Sequence, residues 1–418
     1  MTLKSAPPVS GRPRSTLFAL VRGAALPVTI TLAITLASAL ASVPAHAAQT
    51  GPQAPLLTVA QAQPQVPPQV PSQGQTFEEV IVPQRYANNP DVDAFINDMV
   101  ARYDFDPNAL HALFAGVSYS ATAVKLVTPS PVPAVKNWRA YRARFIEPIR
   151  INAGVKFWRE NAATLQRAAD QFGVPPEVIV GIIGVETLYG RYMGNFRVLD
   201  ALTTLAFDYP NTPNRADREM TFRKNLVDFL VWTRDAQVDP TSVLGSYAGA
   251  IGIPQFMPSS IMKYAVDFEG NNHIDLRASP ADAIGSVANY LKQHGWERDR
   301  PVVWNIAPDA GSQGIAQAAA DGQPEPRWPL EQLLRAGLVL NQPDVDIANE
   351  AGTPVTVIDL PTPGQPTAYK LGLENFYVLT RYNRSFFYAL AVYQLGERVK
   401  ERMLATQQPM GGSSNPPQ

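Results

Sequence analysis

The sequence predicts an α+β protein that is mainly helical, with a small β domain inserted before its last helices. Three observations indicate this class. Apolar residues recur at helical spacing through most of the chain before Trp296. Beyond that residue, short alternating runs lie between proline, glycine and aspartate turns, which is typical of strands. Helical spacing then returns near Arg384 and continues to Val399.

Length and composition exclude several kinds of protein. The chain has 418 residues, which is room for more than one domain, and its net charge is −1. A near-neutral charge argues against a nucleic-acid partner, because such binding needs clustered lysine and arginine. With no cysteine, the sequence excludes disulfides, thiol nucleophiles, cysteine-zinc sites and a lipid-modified N-terminal cysteine. The four histidines lack the H-E-x-x-H spacing of a zinc site.

Residues 1–47 have the pattern of an export signal. Basic residues precede an apolar run over 23–43, and the small-x-small motif Ala45-His46-Ala47 predicts cleavage near Ala47. The alternative is a retained membrane anchor, for which the run is just long enough. Residues 48–84 are rich in proline and glutamine and are expected to be a disordered linker, and 405–418 a disordered tail.

Helix signals dominate the region 85–298. Asn89-Pro90 precedes apolar residues that recur at helical spacing, and Asp106-Pro107 is predicted to begin a second short helix. Apolar residues at helical spacing predict longer helices from about Gly154 to Phe172 and from Asp217 to Arg234, and the stripe of the first is interpreted as core rather than as a ligand site. No strand is predicted in this region.

Residues 299–373 are predicted to form the small β insert. Its alternating runs are Val302–Trp304, Leu338–Leu340, Val355–Ile358 and Ala368–Leu371. Residues from about 307 to 325 are expected to be loop or helix. Residues 374–404 are predicted to supply the final helices, which complete the core.

The most apolar helix is predicted to begin at Pro175-Pro176 and to end near Gly190. Every position from Val178 to Val185 is apolar or glycine, so no face is left for water and the helix must be central. Prolines are tolerated in a first turn, and Gly190 stands where a left-handed cap would close the last one.

Glu186 follows this apolar run directly. A buried, unpaired carboxylate loses its hydration and tends to bind a proton, which is how a general acid is made. The alternative is that Glu186 pairs with a nearby arginine such as Arg191 and only closes the helix. The residues alone leave both open, because structural ion pairs also perturb a pKa.

A different kind of segment extends from Gly245 to Ser260. Its small residues allow backbone to approach a ligand, while Ser246, Gln255 and the aromatic rings supply hydrogen bonds and a flat face. That mixture suits a sugar. The alternative is a tight loop that packs helices together.

The stretch Asp267–Asp275 resembles a calcium loop, with oxygen-bearing side chains at alternate positions. The candidate ligands are Asp267, Glu269, Asn271, His273 through its carbonyl, and Asp282. Asn272 replaces the usual glycine and tolerates the same left-handed backbone, while Ala278 stands where glutamate is usual. Alternatively, Ser279 to Asp282 is only a capping box for the next helix.

From about Phe77 to Met403 the chain resembles the lytic murein transglycosylase B family, glycoside hydrolase family 103. The motifs that carry the resemblance are Gly184-Val185-Glu186-Thr187, Tyr189-Gly190-Arg191, Leu199–Leu202, Gly245-Ser246, Pro258–Ser260, Asp282–Tyr290 and Asn375–Asn383. Several long motifs in the same order are far more specific than a lone E-T-x-x-G.

The resemblance implies a lysozyme-like α core, a helical domain drawn from both chain ends, and a small β insert. It also implies that Glu186 is the only catalytic acid/base. This carboxyl protonates the oxygen of the β-1,4 bond between N-acetylmuramic acid and N-acetylglucosamine. It then takes the proton from the muramyl C6 hydroxyl, which attacks the anomeric carbon, and a 1,6-anhydromuramyl end forms.

The resemblance further implies the substrate contacts and the metal ligands. Ser246 and Gln255 contact the substrate, and Tyr382 and Asn383 close the cleft. Tyr247, Phe256 and Tyr189 are weaker candidates for contacts to sugar faces, with core packing as the alternative for each. The calcium ligands match those named above, but Glu269 and Asn271 depart from the family pattern and one residue is inserted before Asp282.

The expected protein is therefore a periplasmic lytic transglycosylase that is soluble and monomeric, with peptidoglycan strands as its partner and no stable membrane anchor. Its chemistry needs no cofactor, and a structural Ca²⁺ is possible. One alternative is a hydrolytic muramidase, in which Asp200 or Asp208 activates water, because ordinary glycosidases use two carboxylates. The other is a peptidoglycan-binding protein without turnover, in which Glu186 is structural.

Overall fold

The computed structural model describes residues 84–131 and 134–406. The predicted signal peptide, almost all of the predicted linker and almost all of the predicted tail lie outside these residues. The described chain is mainly helical with a small sheet, as the sequence predicts.

The helices before the insert form in the predicted region. They are α1 (Pro90–Tyr103), α2 (Pro107–Ala115), α3 (Ala121–Val127), α4 (Trp138–Ala143), α5 (Pro148–Glu160), α6 (Ala162–Phe172), α7 (Pro176–Thr187), α8 (Val198–Phe207), α9 (Arg215–Asp235), α10 (Pro258–Tyr264) and α11 (Pro280–Gln293). Asn89 and Asp106 cap α1 and α2 through their side chains, and both helices begin at the predicted prolines.

Two predictions for this region are wrong. The helix expected from Gly154 to Phe172 is broken at Asn161, whose side-chain amide donates to the Phe157 carbonyl and so competes with the regular helical bond. Strands β1 (Phe196–Arg197) and β2 (Leu244–Gly245) pair antiparallel where no strand is expected. Two residues are too few to show alternation, so the pattern gave no signal.

The insert contains β3 (Val303–Asn305), α12 (Ala310–Ala319), β4 (Trp328–Pro329), α13 (Leu330–Arg335), α14 (Ile347–Glu350), β5 (Pro354–Leu360) and β6 (Ala368–Gly372). The strands form an antiparallel sheet in the order β3-β6-β5-β4. A separate hydrophobic cluster fills it, and its large members include Trp304, Leu330, Val357 and Leu371.

The strand predicted at Leu338–Leu340 is wrong, because only one isolated bridge joins Leu340 to Ile306. Leu338 is buried in the insert's hydrophobic cluster, and the Val339 amide donates to the Ser312 hydroxyl of α12. Two backbone bonds flank the bridge, from the Ala307 amide to the Val339 carbonyl and from the Asn341 amide to the Asn305 carbonyl. The pairing goes no further, because the Val339 amide is taken by the Ser312 side chain.

The central helix is α7, as predicted, and all residues from Val178 to Thr187 are buried. The last helices are α15 (Glu374–Tyr382) and α16 (Phe386–Ala405), and α16 crosses α7 at backbone contact distance. A Cβ on Gly181 would overlap a carbonyl of α16, and a Cβ on Gly396 would overlap one of α7. Among the described residues no single helix could span a membrane; α6 and α7 pass that test only together and are bent by 115°.

Candidate active site

Glu186 lies in the last turn of α7, with 9% of its surface exposed. Its Oε1 accepts a hydrogen bond of 2.5 Å from the hydroxyl of Tyr388, which lies in the first turn of α16 and is 1% exposed. The alternative partner Arg191 is exposed, and within residues 84–131 and 134–406 Glu186 forms no ion pair. Glu186 is therefore a buried carboxyl held by a neutral donor.

Burial raises the pKa of Glu186 to about 7, and the hydrogen bond from Tyr388 acts in the opposite direction. A carboxyl with a pKa near neutrality exists in both protonation states at pH 7. It can donate a proton in one step and accept one in the next.

Three tyrosines surround this carboxyl. Burial raises the pKa of Tyr388 and of Tyr382 well above 10, and the nearby charge of Glu186 adds to the effect. The same two causes raise the pKa of Tyr141 in α4. The rings of Tyr382 and Tyr388 stack at 6.4 Å between centroids. All three hydroxyls therefore remain protonated at neutral pH.

Two hydrogen bonds fix the loop after β2 beside Glu186, one from the carboxyl end of α7 and one from the end of α15. Thr187, the residue after Glu186, donates from its hydroxyl to the Ile253 carbonyl at 2.8 Å. Tyr382 donates to the next carbonyl, that of Pro254, at 2.5 Å. The structure thus brings together Glu186, the predicted sugar-binding loop and Tyr382.

Ser246 and Gln255 are half-buried within that loop, and each leaves one polar function for a ligand. The Ser246 oxygen accepts from the Ala250 amide at 3.0 Å, so its hydroxyl proton remains to be donated. Gln255 has a left-handed backbone, with φ of 52°. Its side-chain nitrogen donates to the carbonyls of Met193 and Gly252, which leaves the amide oxygen as an acceptor.

The weaker aromatic candidates separate into two groups. Phe256 is 2% exposed and packs against the rings of Tyr290 and Tyr382, so it belongs to the core. The Tyr189 hydroxyl is buried beneath α7, which also makes this residue part of the core. Tyr247 forms the second group, because it is half-buried, with its ring against Phe196. The other predicted contact, Asn383, is buried at the end of α15.

The two carboxylates considered for activating water are engaged elsewhere. Asp208 forms two hydrogen bonds with the Arg85 guanidinium and a third with the Tyr86 hydroxyl. Asp200 accepts from the Ser118 amide at 3.1 Å and pairs with Arg197. Asp200 thus links α8 to the distant backbone of Ser118.

The predicted calcium loop has the expected left-handed Asn272, with φ of 64°. Its oxygens are of the kind that calcium takes, but the carboxylate of Asp267 accepts three backbone amides of the loop. Asp282, fully buried, accepts three more. Among the described residues no three acidic or histidine side chains converge on a metal position. Ser279 also caps α11, as the capping-box alternative expects.

The fold and the buried carboxyl of Glu186 beside a loop of hydrogen-bonding groups are typical of an enzyme that cleaves glycosidic bonds. A family model described as the Transglycosylase SLT domain matches residues 87–397. The chain is 42% identical over 325 residues to the membrane-bound lytic murein transglycosylase B of Escherichia coli strain K12. The match covers 75% of this chain and 84% of the relative.

Two solved structures show the same fold. The soluble lytic transglycosylase SltB1 from Pseudomonas aeruginosa is 43% identical with a TM-score of 0.67, over 75% of this chain and 99% of that chain. The Escherichia coli lytic transglycosylase SLT35 in complex with calcium is 40% identical with a TM-score of 0.67, over 78% and 97%. The chain belongs to the lytic murein transglycosylase B family, and the predicted α+β class with a lysozyme-like core is confirmed.

Proposed function

We propose that this chain is a lytic transglycosylase that cleaves the β-1,4 bond between N-acetylmuramic acid and N-acetylglucosamine in peptidoglycan. One observation carries the proposal: Glu186 is buried at the end of the central helix against the Tyr388 hydroxyl, and burial raises its pKa to about 7. The family membership supplies the substrate class.

The chemistry needs one group that gives and then reclaims a proton. Protonated Glu186 gives its proton to the glycosidic oxygen, the C1–O bond of the muramyl residue breaks, and N-acetylglucosamine leaves with a C4 hydroxyl. The resulting carboxylate takes the proton of the muramyl C6 hydroxyl while that oxygen bonds to C1. Glu186 is protonated again, and no water is consumed.

The neighbouring donors and acceptors support binding around this step. The free hydroxyl proton of Ser246 is suited to the muramyl acetamide, whose oxygen stabilises positive charge at C1. The Gln255 amide oxygen is suited to a sugar hydroxyl, while Tyr382 and Asn383 bound the site from the C-terminal side. Tyr388 donates to the carboxylate form of Glu186 and so stabilises the state that reclaims the proton.

Hydrolysis would need a second carboxylate to hold water on the opposite side of the sugar. Asp200 and Asp208 are the named candidates, and both are committed to structural hydrogen bonds and ion pairs. This distribution of carboxylates favours the intramolecular route.

Mass spectrometry of the sugars released from purified sacculi tests the proposal. The wild type is expected to release 1,6-anhydromuramyl products, and Glu186→Gln none above background. Reducing muramyl ends from the wild type would indicate hydrolysis. Identical products from both proteins would remove Glu186 from the chemistry and favour a binding role.

We also propose that the loop from Asp267 to Asp282 takes up a structural calcium ion, which the chemistry does not require. The alternating oxygens, the left-handed Asn272 and a relative solved with calcium support this. We expect the Tm of the wild type to be higher in CaCl₂ than in EDTA, and this difference to be smaller in Asp267→Asn. An equal Tm in both buffers would contradict it.

We further propose that the chain is exported, cleaved near Ala47 and found in the periplasm as a soluble monomer. Its β insert is proposed to cover about 299–373. The absence of a cysteine to carry lipid supports solubility. Relatives differ here, since one is named membrane-bound and one soluble. Fractionation with N-terminal sequencing of the mature chain tests both points, and a full-length protein in the membrane fraction would contradict them.

A further inference from the structure

The turn directly after the catalytic helix has an unusual backbone. Leu188, Tyr189 and Gly190 have φ values of 50°, 60° and 84°, so three consecutive residues lie in the left-handed region. Only the glycine adopts this conformation without strain, because a Cβ then approaches the following carbonyl. Such strain persists only where surrounding contacts enforce it.

The ring of Tyr189 supplies the first of these contacts. It folds back beneath α7 into a slot between Gly154 of α5 and Gly184 of α7, and a Cβ on either glycine would overlap the Tyr189 hydroxyl. The ring also packs against Phe157 at 5.3 Å between centroids. The two glycines therefore leave the room that this ring fills, and Tyr189 has its left-handed backbone while the ring lies there.

Arg150 of α5 supplies the second contact. Its guanidinium donates to the Gly184 carbonyl, and the same carbonyl accepts the amide of Leu188, the first residue of the turn. The Arg150 side chain is 13% exposed, and its nearest carboxylate, that of Glu147, is 3.9 Å away. Its Nε and the Tyr189 hydroxyl are both buried without a hydrogen-bond partner among the described residues.

The face of the Phe145 ring, 5.3 Å from the guanidinium, adds partial compensation. Burying this cation is still costly, and nothing in the acid/base chemistry uses it. Its hydrogen bond falls on the last turn of α7, two residues before Glu186. On the other side, Thr187 accepts the Gly190 amide and donates to the Ile253 carbonyl. Glu186 therefore lies between two residues whose positions are fixed by hydrogen bonds, Gly184 and Thr187.

We propose that Arg150 and Tyr189 are positioning residues, which lock the turn from Leu188 to Gly190 and thereby hold the Glu186 carboxyl in its buried place against Tyr388. The inference rests on the proposed function. Without the lock, the turn relaxes to an ordinary backbone, the last turn of α7 frays, and the carboxyl reaches water. Neither residue touches the substrate.

The test compares Arg150→Met and Arg150→Lys with the wild type, and uses Arg159→Met as the matched control. Arg159 is on the same helix but exposed, and it bonds Thr406 near the end of α16. The readouts are kcat, KM and the pH dependence of the rate at which anhydro products are released from sacculi.

Arg150→Met is expected to lower kcat about 10²-fold at nearly unchanged KM, as misplacement of a catalytic group does. The pKa seen in its rate profile should fall from near 7 toward the ordinary carboxyl value, because Glu186 becomes solvated. Arg150→Lys keeps one donor and should recover part of kcat and of the pKa. The control should match the wild type.

Two results would overturn the inference: a folded Arg150→Met protein with wild-type kcat and profile, or a pKa that rises, which would make Arg150 a counter-charge. If Arg150→Met does not fold, Arg150→Lys decides by the same readouts. Failure of the proposed function is seen separately, because then the wild type itself releases no anhydro products.

Discussion

Replacement of Glu186 by glutamine affects activity and stability in ways that the structure specifies. Glutamine keeps the shape and still accepts the bond from Tyr388, but it cannot exchange a proton. General acid–base catalysis contributes about 10²–10⁴-fold, and here one group serves both steps, so activity should fall by at least that factor.

The stability change depends on pH, with a sign set by the raised pKa. Folding moves the pKa of Glu186 from 4.5 to about 7, which corresponds to about 3 kcal/mol. Below pH 4.5 the group is protonated in both the folded and the unfolded state. Between pH 4.5 and 7 only the unfolded state ionises, so the wild type loses stability as the pH rises. Above pH 7 the full loss of about 3 kcal/mol remains.

Urea unfolding of the wild type and Glu186→Gln at pH 4 and at pH 8 measures this effect. The advantage of the glutamine variant should grow by about 3 kcal/mol between these pH values. Glu160→Gln, at a mostly exposed glutamate of α5, is the matched control and should show almost no growth. An advantage that does not change with pH would refute the buried, near-neutral carboxyl.

Three other substitutions test the site, the predicted calcium loop and the packing of the central helix. Tyr388→Phe removes the bond that lowers the pKa of Glu186, so the pH profile of kcat/KM should move to higher pH; a shift to lower pH would contradict the geometry. Asp282→Asn replaces one accepting oxygen by an NH₂ group, which faces backbone amides that are themselves donors. The free energy of unfolding in urea should fall by about 1–3 kcal/mol, and an unchanged midpoint would contradict the loop geometry. Gly181→Ala forces α7 and α16 apart and should lower the free energy of unfolding by about 1–3 kcal/mol. The control Gly314→Ala in α12 adds a methyl group to open space and should not destabilise the protein. Equal Tm values for the two variants would exclude close packing of the two helices.

The central helix and its acid could be predicted because their signals are local. Eight consecutive apolar or glycine positions after two prolines determine a buried helix, and Glu186 follows them. The strands at Val355–Ile358 and Ala368–Leu371 were also within reach, because each is long enough to show alternation. Burial of the acid follows from this pattern, and so does its raised pKa.

The rest depends on contacts between distant parts of the chain. Tyr388, the partner of Glu186, is 202 residues away, and nothing near Phe386 marks it. The helix was expected to close at Gly190, yet its left-handed cap is Leu188, because contacts from α5 outweigh the local preference for glycine. Arg150 gave no signal at all, since a single arginine at a helix start has no distinguishing pattern.

Digestion of sacculi in water enriched in ¹⁸O tests the central claim most directly. If one buried carboxyl directs attack by the C6 hydroxyl, the new muramyl ends are anhydro sugars and contain no ¹⁸O. Muramyl ends that carry ¹⁸O at C1, released by the wild type at the full rate, would show that water is the nucleophile and would contradict the account.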